Sequence, residues 1–224
     1  MKIVLLPGLD GTGLLFENLI ENLPQDHEVE LVSFELIYGL TYKEQAEELA
    51  SKYKNEELII VGESYSGRVA YELYHLLKGN VKGIVFLASF ISRPSLLSLL
   101  ARFVPVSFLA QNVLTELLLY LIGFNRSGGR SLVGPVFISL RNANKSKLKS
   151  RLRNISHLKK PTLDILCPVI YVRPSKDRLV SSSAVKALAS KCASYREIPI
   201  EGGHFIAQVN PVACAKVINS AACM

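Results

Sequence analysis

With 224 residues, of which 49% are apolar, the chain can bury one sizeable core and is too apolar to be disordered; it reads as a single domain over 1–224. The net charge of +7 is unevenly placed: no Asp or Glu lies between Leu117 and Leu163, while ten cations from Arg126 to Lys160 do, so the rest of the chain carries −3. That basic run has no aromatic interleaving, which excludes nucleic acid as a partner, and no apolar run approaches the roughly 18 residues of a membrane-spanning helix.

Apolar strands and helical patterns alternate along the chain. Lys2–Leu6 reads as a buried strand, stopped by Pro7-Gly8 before it reaches the length of a secretion signal. Leu14–Leu23 reads as a helix and Val29–Phe34 as a second strand. Thr41 and Glu44 have capping-box spacing at the head of a helix to Lys54, whose apolar face is Tyr42, Ala46, Leu49, Ala50 and Tyr53. Leu58–Val61 and Val81–Ala88 are the third and fourth strands. The alternation then lapses over residues 90–160. The first half of that stretch is apolar and helical (Leu96, Leu97, Leu99, Leu100, Phe103, Phe108, Leu117 to Leu119, Leu121), and the second half is basic and contains glycine. It is expected to be an inserted lid or cap between the fourth and fifth strands, with most of its apolar residues packed in the core. Val169–Val172, Ser182–Lys191 and Tyr195–Pro199 resume the strand–helix–strand pattern, and Pro211 opens a final helix. The pattern predicts an α/β fold: a mostly parallel sheet of about six strands with helices on both faces. In such sheets ligands bind at the carboxyl edge, beneath the expected lid.

The most informative stretch is Gly62-Glu63-Ser64-Tyr65-Ser66-Gly67, set between the apolar strand and a helical pattern (Val69, Ala70, Leu73, Leu76, Leu77). A serine at a sharp strand-to-helix turn is forced outward, and small residues two before and two after it allow strand and helix to approach. The second small residue is Ser66 where the G-x-S-x-G pattern has glycine.

A serine nucleophile needs a base, and the base needs a group to fix its tautomer. Of four histidines, His27 reads as surface, His75 lies too far along the helix after the turn, and His157 belongs to the basic segment. His204 follows Gly202-Gly203 directly after the last strand and is the candidate base. Asp177 follows the fifth strand by a short loop and is the candidate orienting acid, whereas Asp164 precedes that strand. The loop Pro7-Gly8-Leu9-Asp10-Gly11-Thr12-Gly13 has three glycines that free its N–H groups. Leu9 and Tyr65 are the candidate oxyanion donors. Asp10 is read with equal weight as orienting the loop or capping the helix after it. The glycine spacing does not fit a dinucleotide or phosphate loop, and Cys167, Cys192, Cys214 and Cys223 have no metal-like spacing, so no cofactor or metal is expected.

This ordered set of glycine loop, serine elbow, late aspartate and Gly203-His204 resembles the α/β-hydrolase superfamily over essentially the whole chain. The resemblance implies a Ser64–His204–Asp177 triad beneath a helical lid. The first two strands of the superfamily have no counterpart, and Pro7 stands where many relatives have histidine. Loop strings like this one occur in some esterase, thioesterase and acyltransferase members. The expectation is therefore a serine hydrolase of carboxylic esters or thioesters with an apolar acyl group, working through an acyl-enzyme on Ser64. The alternatives are an acyltransferase on the same triad and a non-catalytic receptor or activator. Free thiols point to a cytoplasmic, reducing setting. The basic segment 126–160 is read either as a solvated face or as a contact for an anionic membrane or a phosphate group.

Overall fold

Strands buried on both faces read as continuous apolar runs, and three such runs form the centre of the sheet. The computed structural model describes residues 1–24, 26–95 and 111–223. β1 (Lys2–Leu6), β3 (Leu58–Glu63) and β4 (Val81–Leu87) are almost wholly buried and lie side by side. With β2 (Glu28–Leu31), β5 (Ile165–Pro174) and β6 (Cys192–Ile200) they form a six-stranded sheet in the order β2-β1-β3-β4-β5-β6, every neighbouring pair parallel. On one face pack α2 (Tyr42–Tyr53), α3 (Ser66–Leu77) and α7 (Ser182–Ala189), through residues such as Leu49, Tyr53, Val69, Leu73 and Leu188. On the other pack α1 (Glu17–Glu21), α8 (Ile206–Val209) and α9 (Pro211–Ala222), through Leu19, Ile206, Cys214 and Ile218.

Helix ends follow local chemistry. The capping box at α2 is present: Glu44 N–H donates to Thr41 Oγ1 at 3.2 Å, and the Thr41 N–H donates to the Glu44 carboxylate at 2.9 Å. Pro211 occupies the first turn of α9, where no N–H is needed.

Three strand boundaries differ from the sequence expectation by three residues or more. β2 ends at Leu31 rather than Phe34, because the Phe34 N–H leaves the ladder to donate to Gly11 O at 2.8 Å. β5 starts at Ile165 despite Pro168, since a register shift between Ile165 and Pro168 absorbs the missing donor before pairing with β4 begins at Val169. β6 starts three residues early, at Cys192.

Between β4 and β5 the described residues contain no strand. They form α4 (Val113–Leu118), a π-helical turn (Leu119–Gly123), α5 (Val133–Asn142) and α6 (Lys145–Ser156). Phe124, Val133, Val136 and Phe137 make a small core of their own with Leu15. The core packing expected of Leu117 and Leu118 does not occur: both are exposed, as are Val113 and Leu114. Leu96, Leu97, Leu99, Leu100, Phe103 and Phe108 lie outside the described residues. No helix among the described residues is long and apolar enough to cross a membrane.

Candidate active site

β3 runs straight into the serine turn. Ser64 has φ of 48°, the left-handed region that side chains other than glycine avoid, at a typical cost of about 1–3 kcal/mol. The surroundings over-determine it. Its N–H donates to Leu87 O at 3.0 Å, and its carbonyl accepts from Ser89 Oγ at 2.7 Å. A Cβ on Gly62 would come within 3.2 Å of Ser66 O and 3.3 Å of Ala70, so the small residue lets α3 close on β3. Ser66 is used rather than merely tolerated: its hydroxyl lies 2.7 Å from Leu6 O and 3.0 Å from Glu63 O, joining the ends of β1 and β3. The need for glycine has moved to Gly67, where a Cβ would sit 2.0 Å from Ser89 Oγ and 2.8 Å from Phe90 O. Gly67→Ala is expected to push α3 off the end of β4 and lower stability by about 2–3 kcal/mol, read as a drop in the urea midpoint; an unchanged midpoint would show that Ser89 can move aside.

The structure brings Ser64, His204 and Asp177 together. His204 Nε2 lies 2.8 Å from Ser64 Oγ, and His204 Nδ1 lies 3.0 and 3.2 Å from the two Asp177 oxygens. A carboxylate can only accept, so Nδ1 carries the proton and Nε2 is left to accept from the serine hydroxyl. Asp177 is itself fixed by the N–H groups of Leu179 (2.8 Å) and Val180 (3.1 Å). Burial would push the Asp177 carboxyl up, but the His204 charge and hydrogen bond, with those two N–H groups, hold it below its ordinary value. Burial likewise would push His204 down, yet the Asp177 charge and hydrogen bond, aided by Glu63, hold it above 6.5. The segment between β4 and β5 buttresses this histidine. Its N–H donates to Gly123 O at 2.7 Å, Phe205 stacks on Phe124 with centroids 4.8 Å apart, and a Cβ on Gly203 would meet the Phe124 backbone at 2.4 Å.

The glycine loop after β1 turns with Gly11 and Gly13 at φ of 73° and 84°. Asp10 orients this loop and caps no helix: it accepts from Thr12 N (2.9 Å) and Thr12 Oγ1 (2.6 Å), while the following helical turn is capped at Gly13 without a side chain. The N–H groups of Leu9 and Tyr65 have no backbone acceptor among the described residues.

Three features escaped the sequence reading. The first is Glu63, 4% exposed, which faces Gly8, Asp10 and His204. Burial, then the Asp10 charge, push its carboxyl up to about 8. Its one sequence signal is an ionisable residue ending a strand that is otherwise apolar. The second is Arg151, which belongs to the interior rather than a solvated face. It is 1% exposed, and it donates to Leu9 O (2.7 Å), Asp10 O (2.7 Å) and the Glu35 carboxylate (2.8 Å). Lys147 also turns inward, donating to the carbonyls of Glu35 and Ile37 at 2.7 Å each. The third is Asn154, whose amide bridges Leu40 O (2.7 Å) and the Tyr65 hydroxyl (3.0 Å); that hydroxyl donates in turn to Gln45 at 3.1 Å. Helix α6 therefore holds both residues read as oxyanion donors, Leu9 through its carbonyl and Tyr65 through its ring. Of the histidines set aside, His27 is partly buried, His75 packs between Tyr71 and Tyr74, and His157 is exposed. Asp164 pairs with Lys191 at 3.0 Å, away from the site. No metal-binding cluster occurs among the described residues.

Solved structures similar to this one include an esterase from Thermogutta terrifontis (TM-score 0.79, 12% identity, covering 98% of this chain and 88% of that one). A hydrolase from Oleispira antarctica gives a TM-score of 0.76 at 12% identity over 97% and 90% of the two chains. An esterase from Exiguobacterium antarcticum gives 0.75 at 13% identity over 100% and 92%. No protein-family model matches the sequence, and no curated protein matches it. With the parallel sheet and the serine turn described above, these likenesses show that the chain has the α/β-hydrolase fold.

Proposed function

We propose that the protein is a serine hydrolase that cleaves carboxylic esters or thioesters with an apolar acyl group. The observation that carries this reading is the hydrogen-bonded series Ser64–His204–Asp177 at a strained strand-to-helix turn. Ser64 Oγ attacks the acyl carbon while its proton passes to His204 Nε2, and Asp177 stabilises the resulting imidazolium. The N–H groups of Leu9 and Tyr65 bind the oxyanion. His204 then gives the proton to the departing alcohol or thiol, and a water activated by the same histidine releases the acid from Ser64. An apolar acyl group is favoured by the aromatic surroundings of the histidine, where Phe205 lies edge-on to the His204 ring and stacks on Phe124. All four cysteines are free thiols, which favours a reducing, cytoplasmic setting. Reaction with an alkyl fluorophosphonate tests the nucleophile: peptide mass mapping should place the adduct on Ser64, and an adduct elsewhere or none at all refutes the assignment.

The pH profile follows from the direction of the His204 shift. The base must be neutral to take the proton, so kcat/KM falls as pH drops through its pKa, and that limb should lie above 6.5. Asp177→Asn removes the charge that raises it; the limb should move to lower pH while kcat falls by on the order of 10⁴. An unmoved limb in that variant would take Asp177 out of this role.

A further inference from the structure

The proposed chemistry uses Ser64, His204, Asp177 and two N–H groups, and it leaves one buried acid beside them without a role. Glu63 ends β3, directly before the nucleophile, and is 4% exposed. No Lys or Arg pairs with it among the described residues. A carboxyl taken out of water with no cation beside it lowers stability. The reason for keeping it therefore lies in the site rather than in the fold.

What the side chain touches supplies that reason. A Cβ on Gly8 would lie 3.4 Å from Glu63 Oε2, so the carboxyl rests against the first glycine of the loop that follows β1. Burial and the Asp10 charge push the Glu63 carboxyl up, while the His204 charge and a hydrogen bond from the Gly8 N–H pull it back. The Gly8–Leu9 peptide, which carries one of the proposed oxyanion donors, is thereby held from three sides. Glu63 accepts from the N–H before it, the Gly11 N–H donates to its carbonyl at 3.2 Å, and Arg151 donates to the carbonyl after it at 2.7 Å. Among the described residues every peptide bond is trans, so each N–H points away from the carbonyl of its own peptide. With the Gly8 carbonyl turned in toward Gly11, the Leu9 N–H is turned out of the loop. Arg151 makes its contact from α6, whereas Glu63 makes its own from the strand that bears the nucleophile and, two residues on, the other donor, Tyr65. It ties the loop to the nucleophile's own strand.

We infer that Glu63 is a positioning residue of the proposed hydrolase: its carboxyl oxygen, accepting from the Gly8 N–H, holds the Leu9 N–H at the distance from Ser64 Oγ that an oxyanion requires. The inference rests on the proposed hydrolase reading. Glu63 acts on the reaction only through the loop. A misplacement of about 1 Å in such a donor is enough to slow the chemistry by about 100-fold.

Three proteins test it: wild type, Glu63→Gln and Glu63→Leu. Glutamine keeps an acceptor oxygen for Gly8, and leucine fills the space without one. Two rates are read. One is the labelling of Ser64 by an alkyl fluorophosphonate, whose phosphoryl oxygen enters the oxyanion hole; the other is kcat on p-nitrophenyl butyrate. In Glu63→Leu both should fall about 10- to 100-fold, and Glu63→Gln should recover most of that loss. The urea midpoint should not follow the rates. Leucine removes a buried carboxyl that has no cation, so the Glu63→Leu midpoint should equal or exceed that of the wild type. Wild-type rates in Glu63→Leu overturn the inference and leave the hydrolase reading standing. Equal losses in the two variants also overturn it, since they assign the effect to the charge that faces His204 rather than to the bond with Gly8. A lower midpoint in Glu63→Leu, up to failure to fold, makes Glu63 a structural residue and overturns it as well. Absence of both labelling and turnover in the wild type defeats the hydrolase reading itself, and the inference with it.

Discussion

Ser64→Ala should lower kcat by about four to six orders of magnitude on any ester the wild type hydrolyses. Among the described residues the hydroxyl is the only group within hydrogen-bond distance of His204 Nε2 that can become acylated. Without it His204 has nothing to deprotonate except water, and the oxyanion donors alone leave a small residual rate. Because Ser64 and His204 act as one unit, Ser64→Ala/His204→Ala should be no slower than Ser64→Ala; additive losses would mean that the two residues do not share a step. Stability gives an independent reading of the same position. The 48° φ at residue 64 is a conformation that alanine dislikes and glycine adopts freely. Ser64→Gly should therefore unfold at higher urea than Ser64→Ala, by about 1 kcal/mol. Equal midpoints would show that the turn relaxes once the hydroxyl is gone, and that the strain belongs to the site rather than to the fold.

The second large effect is expected at Arg151, far from the serine in sequence. Arg151→Met keeps the bulk but leaves Leu9 O, Asp10 O and the Glu35 carboxylate without their donor. Breaking a buried ion pair from one side typically costs about 3–5 kcal/mol; Glu35 is partly exposed and can rehydrate, so about 3 kcal/mol is the expected loss, or roughly 6–12 °C in Tm for a chain of this size. Arg151→Lys should recover little, since a single ammonium cannot reach two carbonyls and a carboxylate in the geometry of a planar fork. The functional signature should appear in kcat more than in KM. The Leu9 carbonyl held by Arg151 belongs to a residue read as an oxyanion donor, and loosening it weakens binding of the tetrahedral state more than that of the flat ester. The affinity for a boronic acid, which mimics that state, should fall in parallel with kcat at a temperature where the variant is folded. If boronate affinity and kcat are both retained, Arg151 is a structural residue only. Gly11 shows how closely this contact is made: a Cβ there would lie 2.6 Å from the Arg151 guanidinium carbon.

Much of this was legible in the chain. The alternation of strands and helices, the Thr41–Glu44 cap, the proline opening the last helix and the residues of the serine turn depend on neighbours within a few positions. Local sterics and spacing act there with little reference to the rest of the fold. The order of Ser64, Asp177 and His204 could be read for a related reason: in a parallel sheet every strand delivers its following loop to the same edge. A residue known to follow a strand was thereby known to reach the edge where the site lies.

The remainder was decided by contacts between distant segments. Arg151 meets Leu9 across 142 positions, and Asn154 meets Tyr65 across 89. In the sequence both belong to a basic run indistinguishable from a solvated helix face, because charge pattern does not record which side of a helix meets a neighbour. Glu63 looked like an ordinary variable position of the serine motif until the packing of β3 between β1 and β4 removed it from water. Short-range geometry, repeated at each turn and strand end, was thus determined by the sequence itself. Which charges are buried and which face the oxyanion loop was decided only when the tertiary structure set the distances, since desolvation and Coulomb energies depend on separation in space rather than along the chain.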